Sequence, residues 1–122
     1  IAALRLGAAR ALCVDVNPDA VASAGRNGVA NAVAGRLAHR CGTAEDLAGL
    51  AFDLVVANVG GELLLDEAAR IVPLARSGGR LLLSGLLGGW GDALLATYAR
   101  LGCRALSRGD RGGVLTVLLS RG

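Results

Sequence analysis

Arg10-Ala11-Leu12-Cys13-Val14-Asp15-Val16-Asn17-Pro18-Asp19-Ala20-Val21 is the stretch that decides the fold. A short apolar run ends in a carboxylate and breaks at once into a helix start. Bounded by Gly7 and by Asn17-Pro18, such a run predicts a buried parallel strand. Asn17 is suited to cap the following helix, and Pro18 to its first position, where a missing N–H costs nothing. Asp15 then stands at the carboxyl end of the strand, the edge of an α/β sheet where ligands bind. A carboxylate there accepts hydrogen bonds from two adjacent ribose hydroxyls, which points to a nucleoside-binding edge.

The 122 residues suffice for one domain with a core of its own, and we take 1–122 as a single, partial domain. An apolar fraction of 53% against 19% charged excludes a disordered chain. The chain lacks Met and opens on Ile1 inside an apolar pattern, so an internal or C-terminal piece of a longer protein is expected. All 13 basic residues are Arg, and the net charge is only +3. With Phe52, Trp90 and Tyr98 as the aromatics, no stacking platform alternates with basic residues, and direct nucleic-acid binding is not expected. Cys13, Cys41 and Cys103 are far apart and form no C-x-x-C pair. They read as reduced thiols of a cytoplasmic protein, with neither a zinc site nor a disulfide framework. The longest uncharged apolar run, Leu81 to Gly91, is too short and too rich in glycine to span a membrane.

Along the chain, Ile1–Leu6 reads as the last turns of a helix stopped by Gly7. A helix over Pro18 to about Ala34 is expected to turn Val21, Ala24, Val29 and Val33 to the sheet, weakened by Gly25 and Gly28. Arg36–Arg40 reads as an edge strand, followed by a loop carrying Glu45 and Asp46 and a short turn to Gly49. Phe52–Val59 is a continuous apolar run, predicted to be a strand covered on both faces. Glu62 to about Arg76 reads as a helix with Leu64, Leu65, Ala68, Ala69 and Val72 inward and a kink or end at Pro73. Ser77-Gly78-Gly79 reads as a tight turn before a strand from Arg80 to Ser84. Gly89–Leu101 is amphipathic, with Trp90, Leu94, Tyr98 and Leu101 on one face and Gly102 as its stop. Cys103–Ser107 and Val114–Ser120 close the chain as a hairpin around Arg108–Gly113. The alternation predicts an α/β fold, a largely parallel sheet with helices on both faces and a C-terminal antiparallel hairpin.

The segments Val14–Val21, Phe52–Asn58 and Ser77–Gly85 are similar to successive motifs of the class I S-adenosylmethionine-dependent methyltransferases. More narrowly, Ala57-Asn58-Val59-Gly60-Gly61-Glu62-Leu63-Leu64 with Ser84-Gly85-Leu86-Leu87 resembles the ribosomal-protein methyltransferases of the PrmA family. That resemblance implies a Rossmann-like methyltransferase sheet, S-adenosyl-L-methionine as cofactor, and N-methylation of amino groups on a large-subunit ribosomal protein. It also implies that the first strand and the glycine-rich loop after it lie upstream of Ile1. An interior strand left out opens a slot of roughly 10 Å between its neighbours, twice the usual spacing. The strands of Val14 and Val56 are therefore expected to be unpaired with each other, and a piece with this slot left open or distorted is expected to bind cofactor poorly.

In the same comparison Asp15 takes the ribose hydroxyls, Val16 packs near the adenine, and Glu45 and Asp46 match the adenine-contacting loop. The plainer reading of Asp15 is an acid favouring a helix N-terminus, and that of Glu45 and Asp46 a solvated loop. Methyl transfer to an amine depends on holding the nucleophile in line. Asn58, at the end of its strand, can accept a hydrogen bond from a neutral amine and aim its lone pair beside the cofactor; its rival role is a turn-forming Asn before Gly60-Gly61. Glu62 can orient the amine or simply be an acid in a first helical turn. His39 has no triad around it and reads as an edge-strand residue, Trp90 and Tyr98 read as core, and Arg108-Gly109-Asp110 as a chance tripeptide. Two other functions compete: a nicotinamide-dependent oxidoreductase, whose fold also grips ribose with an acid after its second strand, and a non-catalytic packing module. The closing hairpin argues against the oxidoreductase.

Overall fold

The computed structural model describes residues 1–87 and 89–122. Gly88, inside the apolar run Leu81–Gly91, lies outside the described residues. The chain divides into two units, Ile1–Asp46 and Leu47–Gly122.

In the first unit, helix α1 (Ala2–Arg5) ends at Gly7, whose φ of +113° only glycine adopts freely. Strand β1 (Ala11–Asp15) pairs in parallel with β2 (Leu37–Cys41), and Asp15 lies opposite Cys41. Helix α2 (Pro18–Ala30) joins them, capped by Asn17, whose Oδ1 accepts the Asp19 N–H at 2.9 Å. Leu4, Val33 and Leu37 form the core, with Ile1, Ala8, Ala11 and Cys13 packed on it.

Helix α2 stops four residues short of the predicted Ala34. The Ala32 N–H donates to the Val29 carbonyl and the Val33 N–H to the Gly28 carbonyl, with Ala32 left-handed at φ +58°. This is a Schellman stop built without glycine, so the usual sequence signal is missing. The inward face is also set differently. A Cβ on Gly28 would sit 2.9 Å from Leu37 Cδ2, and one on Gly25 would sit 3.2 Å from His39 Nε2. The two glycines expected to weaken the helix are the points at which it approaches β2. Val29, one residue on from Gly28, is turned outward and is 71% exposed instead of facing the sheet.

The second unit is a four-stranded sheet in the order β3-β4-β6-β5. Strand β3 (Phe52–Asn58) runs parallel to β4 (Ala75–Leu87), and β6 (Val114–Arg121) is antiparallel to both β4 and β5 (Cys103–Arg111). Among the described residues no ladder joins β1 to β3, so the strands of Val14 and Val56 are unpaired with each other, as expected. Helices α3 (Gly61–Asp66) and α5 (Trp90–Arg100) cover one face, burying Leu64, Leu94 and Tyr98 with Leu81, Leu83, Leu86, Leu115, Val117 and Leu119. The other face is open: Leu54 is 45% and Val56 59% exposed. Strand β3 is thus covered on one face rather than two, because no helix of this unit packs on that side.

The helix predicted over Glu62–Arg76 is three pieces. Helix α3 ends where Glu67 leaves helical geometry, α4 (Ala68–Ile71) follows, and Val72–Leu74 tightens to a 3₁₀ turn around Pro73, which has no N–H to continue the ladder. Ile71 is buried where Ala69 was expected, and Ala69 is exposed. Ser77-Gly78-Gly79 is absorbed into β4 as a bulge: the register passes from Phe52↔Ala75 to Leu54↔Arg80 across it, with Gly78 at φ +76°. The final hairpin turns on Gly112 (φ +60°) and Gly113 (φ +81°) alone, the left-handed pair of a type I′ turn, so β5 runs on to Arg111 through the Arg108-Gly109-Asp110 tripeptide.

Tyr98 Oη donates to the Leu64 carbonyl at 2.9 Å, tying α5 to α3 inside the core. Burial pushes its phenol far above the ordinary value, with Cys103 adding to the shift, and burial likewise raises the Cys103 thiol. Because both groups hold their protons more tightly folded than unfolded, stability falls as pH rises past the unfolded cysteine value of about 8.5 and then the unfolded tyrosine value of about 10. Tyr98→Phe is expected to lose about 1–2 kcal/mol at neutral pH by leaving the Leu64 carbonyl unpaired. It should also flatten the alkaline limb of a urea-denaturation series run from pH 8 upward. Ala32→Gly is expected to gain about 1 kcal/mol in the same assay by relieving the left-handed alanine.

Candidate active site

At the carboxyl end of β1 the backbone and side chain of Asp15 are both fixed. Its carbonyl accepts the Gly42 N–H at 3.0 Å, and its Oδ1 accepts the Asn17 N–H at 2.8 Å. The Asn17 bond occupies one carboxylate oxygen of an exposed side chain and leaves the second for a ligand. Val16 is 68% exposed, an apolar surface set directly beside that carboxylate. Cys41, opposite Asp15 in register, donates its thiol to the Val16 carbonyl at 3.3 Å and holds the strand end in place.

The loop after β2 lies at this same end of the two-stranded sheet. Within it Asp46 Oδ2 accepts the Thr43 N–H at 2.8 Å and faces Thr43 Oγ1 at 3.3 Å. The carboxylate packs so closely on Gly42 that a Cβ there would lie 2.6 Å from it. The Asp46 side chain therefore closes its own turn, whereas Glu45 is exposed on the same 3₁₀ turn (Ala44–Leu47). The structure gathers Asp15, Val16, Glu45 and Asp46 at one sheet end. A shallow pocket of about 180 Å³ lined by Arg10, Ala11, Gly35, Arg36, Leu37 and Ala38 lies at the opposite ends of the same strands, away from these residues.

In the second unit Asn58 closes β3 beside Ser84 of β4. The next residue on β4, Gly85, has φ +87°, and a Cβ there would stand 2.6 Å from Asn58 Oδ1 and 3.1 Å from the Val59 carbonyl oxygen. Only glycine leaves room for the Asn58 amide in this position. Gly60 caps α3 in extended geometry, and Glu62 is exposed in its first turn. The indole of Trp90 lies over Gly61, where a Cβ would come within 2.7 Å of its Cγ. Trp90 is 39% exposed and belongs to this rim, a correction to its expected place in the core beside Tyr98. Leu101, also expected on that buried face, is 38% exposed past the end of α5. Gly85 and Trp90 were missed as site residues. A glycine inside the apolar run Leu81–Leu87 was the available signal, since strands tolerate glycine chiefly at bulges and close approaches.

Among the described residues no cluster of three or more His, Cys, Asp or Glu is placed to hold a metal ion. No described helix is long and apolar enough to cross a membrane. The three cysteines are free thiols.

A parallel β3–β4 pair continued by antiparallel β6 and β5 defines the Rossmann-like methyltransferase fold. A ribosomal protein L11 methylase from Lactobacillus delbrueckii subsp. bulgaricus superposes with a TM-score of 0.90 at 23% identity, over 98% of this chain and 62% of that one. An O-methyltransferase family protein from Burkholderia thailandensis superposes at 0.77 with 13% identity, over 93% and 44%. The family model described as ribosomal protein L11 methyltransferase (PrmA) matches residues 1–114, and the chain belongs to that family. The ribosomal protein L11 methyltransferase of Edwardsiella ictaluri is 40% identical over 98 residues, 80% of this chain and 33% of that protein. That of Pectobacterium carotovorum is 39% identical over 99 residues, 81% and 33%. The chain thus spans about a third of the length of the curated relatives it matches.

Trp90 is the one tryptophan of the chain, so its fluorescence reports the rim without interference. Gly61→Ala is expected to displace the indole and red-shift its emission, with a stability loss of about 1–3 kcal/mol from overpacking in urea denaturation. An unshifted spectrum would show that the indole does not rest on Gly61.

Proposed function

We propose that residues 1–122 are part of the S-adenosyl-L-methionine-binding domain of a methyltransferase that N-methylates amino groups of a ribosomal protein, the substrate class carried by the names of its relatives. The observation that supports it most is the Asp15 carboxylate, exposed at the strand end with one oxygen held by the Asn17 amide. That geometry suits a vicinal diol: the fixed oxygen sets the plane of the carboxylate, and charge-assisted hydrogen bonds to hydroxyls are strong and directional. Val16 gives an apolar flank for a flat ring, and Glu45 an acceptor for an exocyclic amine. Asp46 contributes through the turn it closes with Thr43 and, in the adenine-contacting role, through its backbone.

When bound, the cofactor supplies an electrophilic methyl group on a sulfonium. The chain's own residues have the tasks of binding and aiming. Asn58 Oδ1 accepts a hydrogen bond from the neutral amine and orients its lone pair, gaining rate by alignment rather than by proton transfer. Glu62, exposed one helical step beyond Gly61, draws the cationic amine in, and the amine gives its proton to solvent water before it is aimed. The antiparallel β6 and β5 strands and the family membership speak against a nicotinamide oxidoreductase.

Isothermal calorimetry of S-adenosylmethionine with the chain tests the reading. Binding to residues 1–122 is expected to be weak, because the glycine-rich loop that the resemblance places upstream of Ile1 is not among them. Asp15→Ala is expected to weaken it further, at least about tenfold through loss of a charged hydrogen-bond acceptor, and Asp19→Ala to leave it unchanged. Mass spectrometry of ribosomal protein incubated with chain and cofactor reads the transfer, and any methyl gain on amino groups is expected to fall about 10²-fold with Asn58→Ala, the scale of a lost alignment. Absence of heat with folded chain would favour the packing-module reading.

A further inference from the structure

On the open face of the β3-β4-β6-β5 sheet, the apolar row Val56, Leu82 and Leu118 is bordered by polar residues on both sides, by Arg80 and Ser120 beside Leu54 and by a second row at the carboxyl end of β3. Leu54, Val56, Leu82 and Leu118 share that face with Asn58, Ser84 and Thr116. Asn58 lies opposite Ser84 in register, and Ser84 Oγ is 3.0 Å from Thr116 Oγ1. The row crosses three strands at the carboxyl end of β3 and stops at Gly109, the register partner of Thr116. The β4–β6 register shifts between Leu83 and Leu86, so the row falls on a bulge. Bulges of this kind re-aim side chains beside active sites. Gly85, inside the bulge, leaves the space that Asn58 Oδ1 occupies.

A cross-strand hydroxyl pair is an ordinary way to stabilise a sheet, worth about 0.2–1 kcal/mol. That accounts for Ser84 with Thr116 but not for their alignment with Asn58. A hydroxyl has one hydrogen to give and two lone pairs to offer. Either hydroxyl of the Ser84–Thr116 pair can be the donor; in the arrangement where Ser84 donates, Ser84 Oγ presents lone pairs alone, as Asn58 Oδ1 does.

We propose that Asn58 Oδ1 and Ser84 Oγ are twin acceptors for the N–H bonds of the substrate amine, and that Thr116 is the positioning residue that takes the Ser84 hydrogen. This rests on the reading of Asn58 given above and adds a rule of selection. The row recognises N–H bonds rather than charge, so a primary amine binds best and a fully methylated one is released.

The test is a heteronuclear NMR titration of the ¹⁵N-labelled full chain with methylammonium chloride and, separately, tetramethylammonium chloride at equal concentration. Methylammonium is expected to shift the Asn58 side-chain amide and the Ser84 and Gly85 backbone resonances along a saturable curve; tetramethylammonium is not. Thr116→Val should weaken the methylammonium response about tenfold, the scale of a lost hydrogen bond to a charged group, while Thr116→Ser keeps it. Ser84→Ala gives the same loss and serves where Thr116→Val does not fold. Equal shifts with both cations overturn the proposal. A wild-type response in both Thr116→Val and Ser84→Ala overturns it while leaving Asn58 as an amine contact. Silence with both cations removes the proposal and the Asn58 reading together.

Discussion

Burial of Leu81, Leu83 and Leu86 on β4 is the constraint the second unit depends on. Each is fully covered and stabilises the fold by roughly 1.5–3 kcal/mol of apolar burial. Because successive side chains of a strand point to opposite faces, fixing Leu81 and Leu83 inward fixes Leu82 and Ser84 outward. The bulge at Ser84 and Gly85 then returns Leu86 to the core, and it makes room for the Asn58 amide. The same strand that anchors the core thereby sets the chemistry on the opposite face. Tyr98 reinforces this arrangement, since its hydroxyl holds α3, and hence the segment from Gly60 to Glu62, against α5.

The first unit solves a smaller problem by close approach. Gly25 and Gly28 bring α2 down onto His39 and Leu37, and Asn17 starts the helix directly after Asp15. The carboxylate is therefore held by the element that follows it. Its exposure, its anchored oxygen and the neighbouring Val16 all derive from a turn only two residues long. Asp46 shows the contrary case: a carboxylate at the proper sheet end whose side chain is committed to Thr43.

Much of this was legible in the residues. Asn17-Pro18 marked the start of α2, Gly7 and Gly102 marked helix ends, and the valines of Phe52–Asn58 marked β3. The errors have local causes. Ala32 adopts a conformation its side chain disfavours, so nothing in the sequence announces the end of α2. Ser77-Gly78-Gly79 has turn composition yet is held in a ladder by β3 on one side of the bulge and both neighbours beyond it. Trp90 has the right spacing for the core, but the space it fills is the missing side chain of Gly61, at the rim.

The sequence by itself determined the alternation of strands and helices, the carboxylate at the end of β1 and the asparagine at the end of β3, because apolar periodicity and helix-capping chemistry act over a few residues. Tertiary structure alone decided which face of β3 is open, that Ser84 and Thr116 continue the line begun by Asn58, and that Gly85 and Gly61 make room for Asn58 and Trp90. Those facts depend on strand register and on contacts between residues far apart in the chain, and no local pattern encodes either.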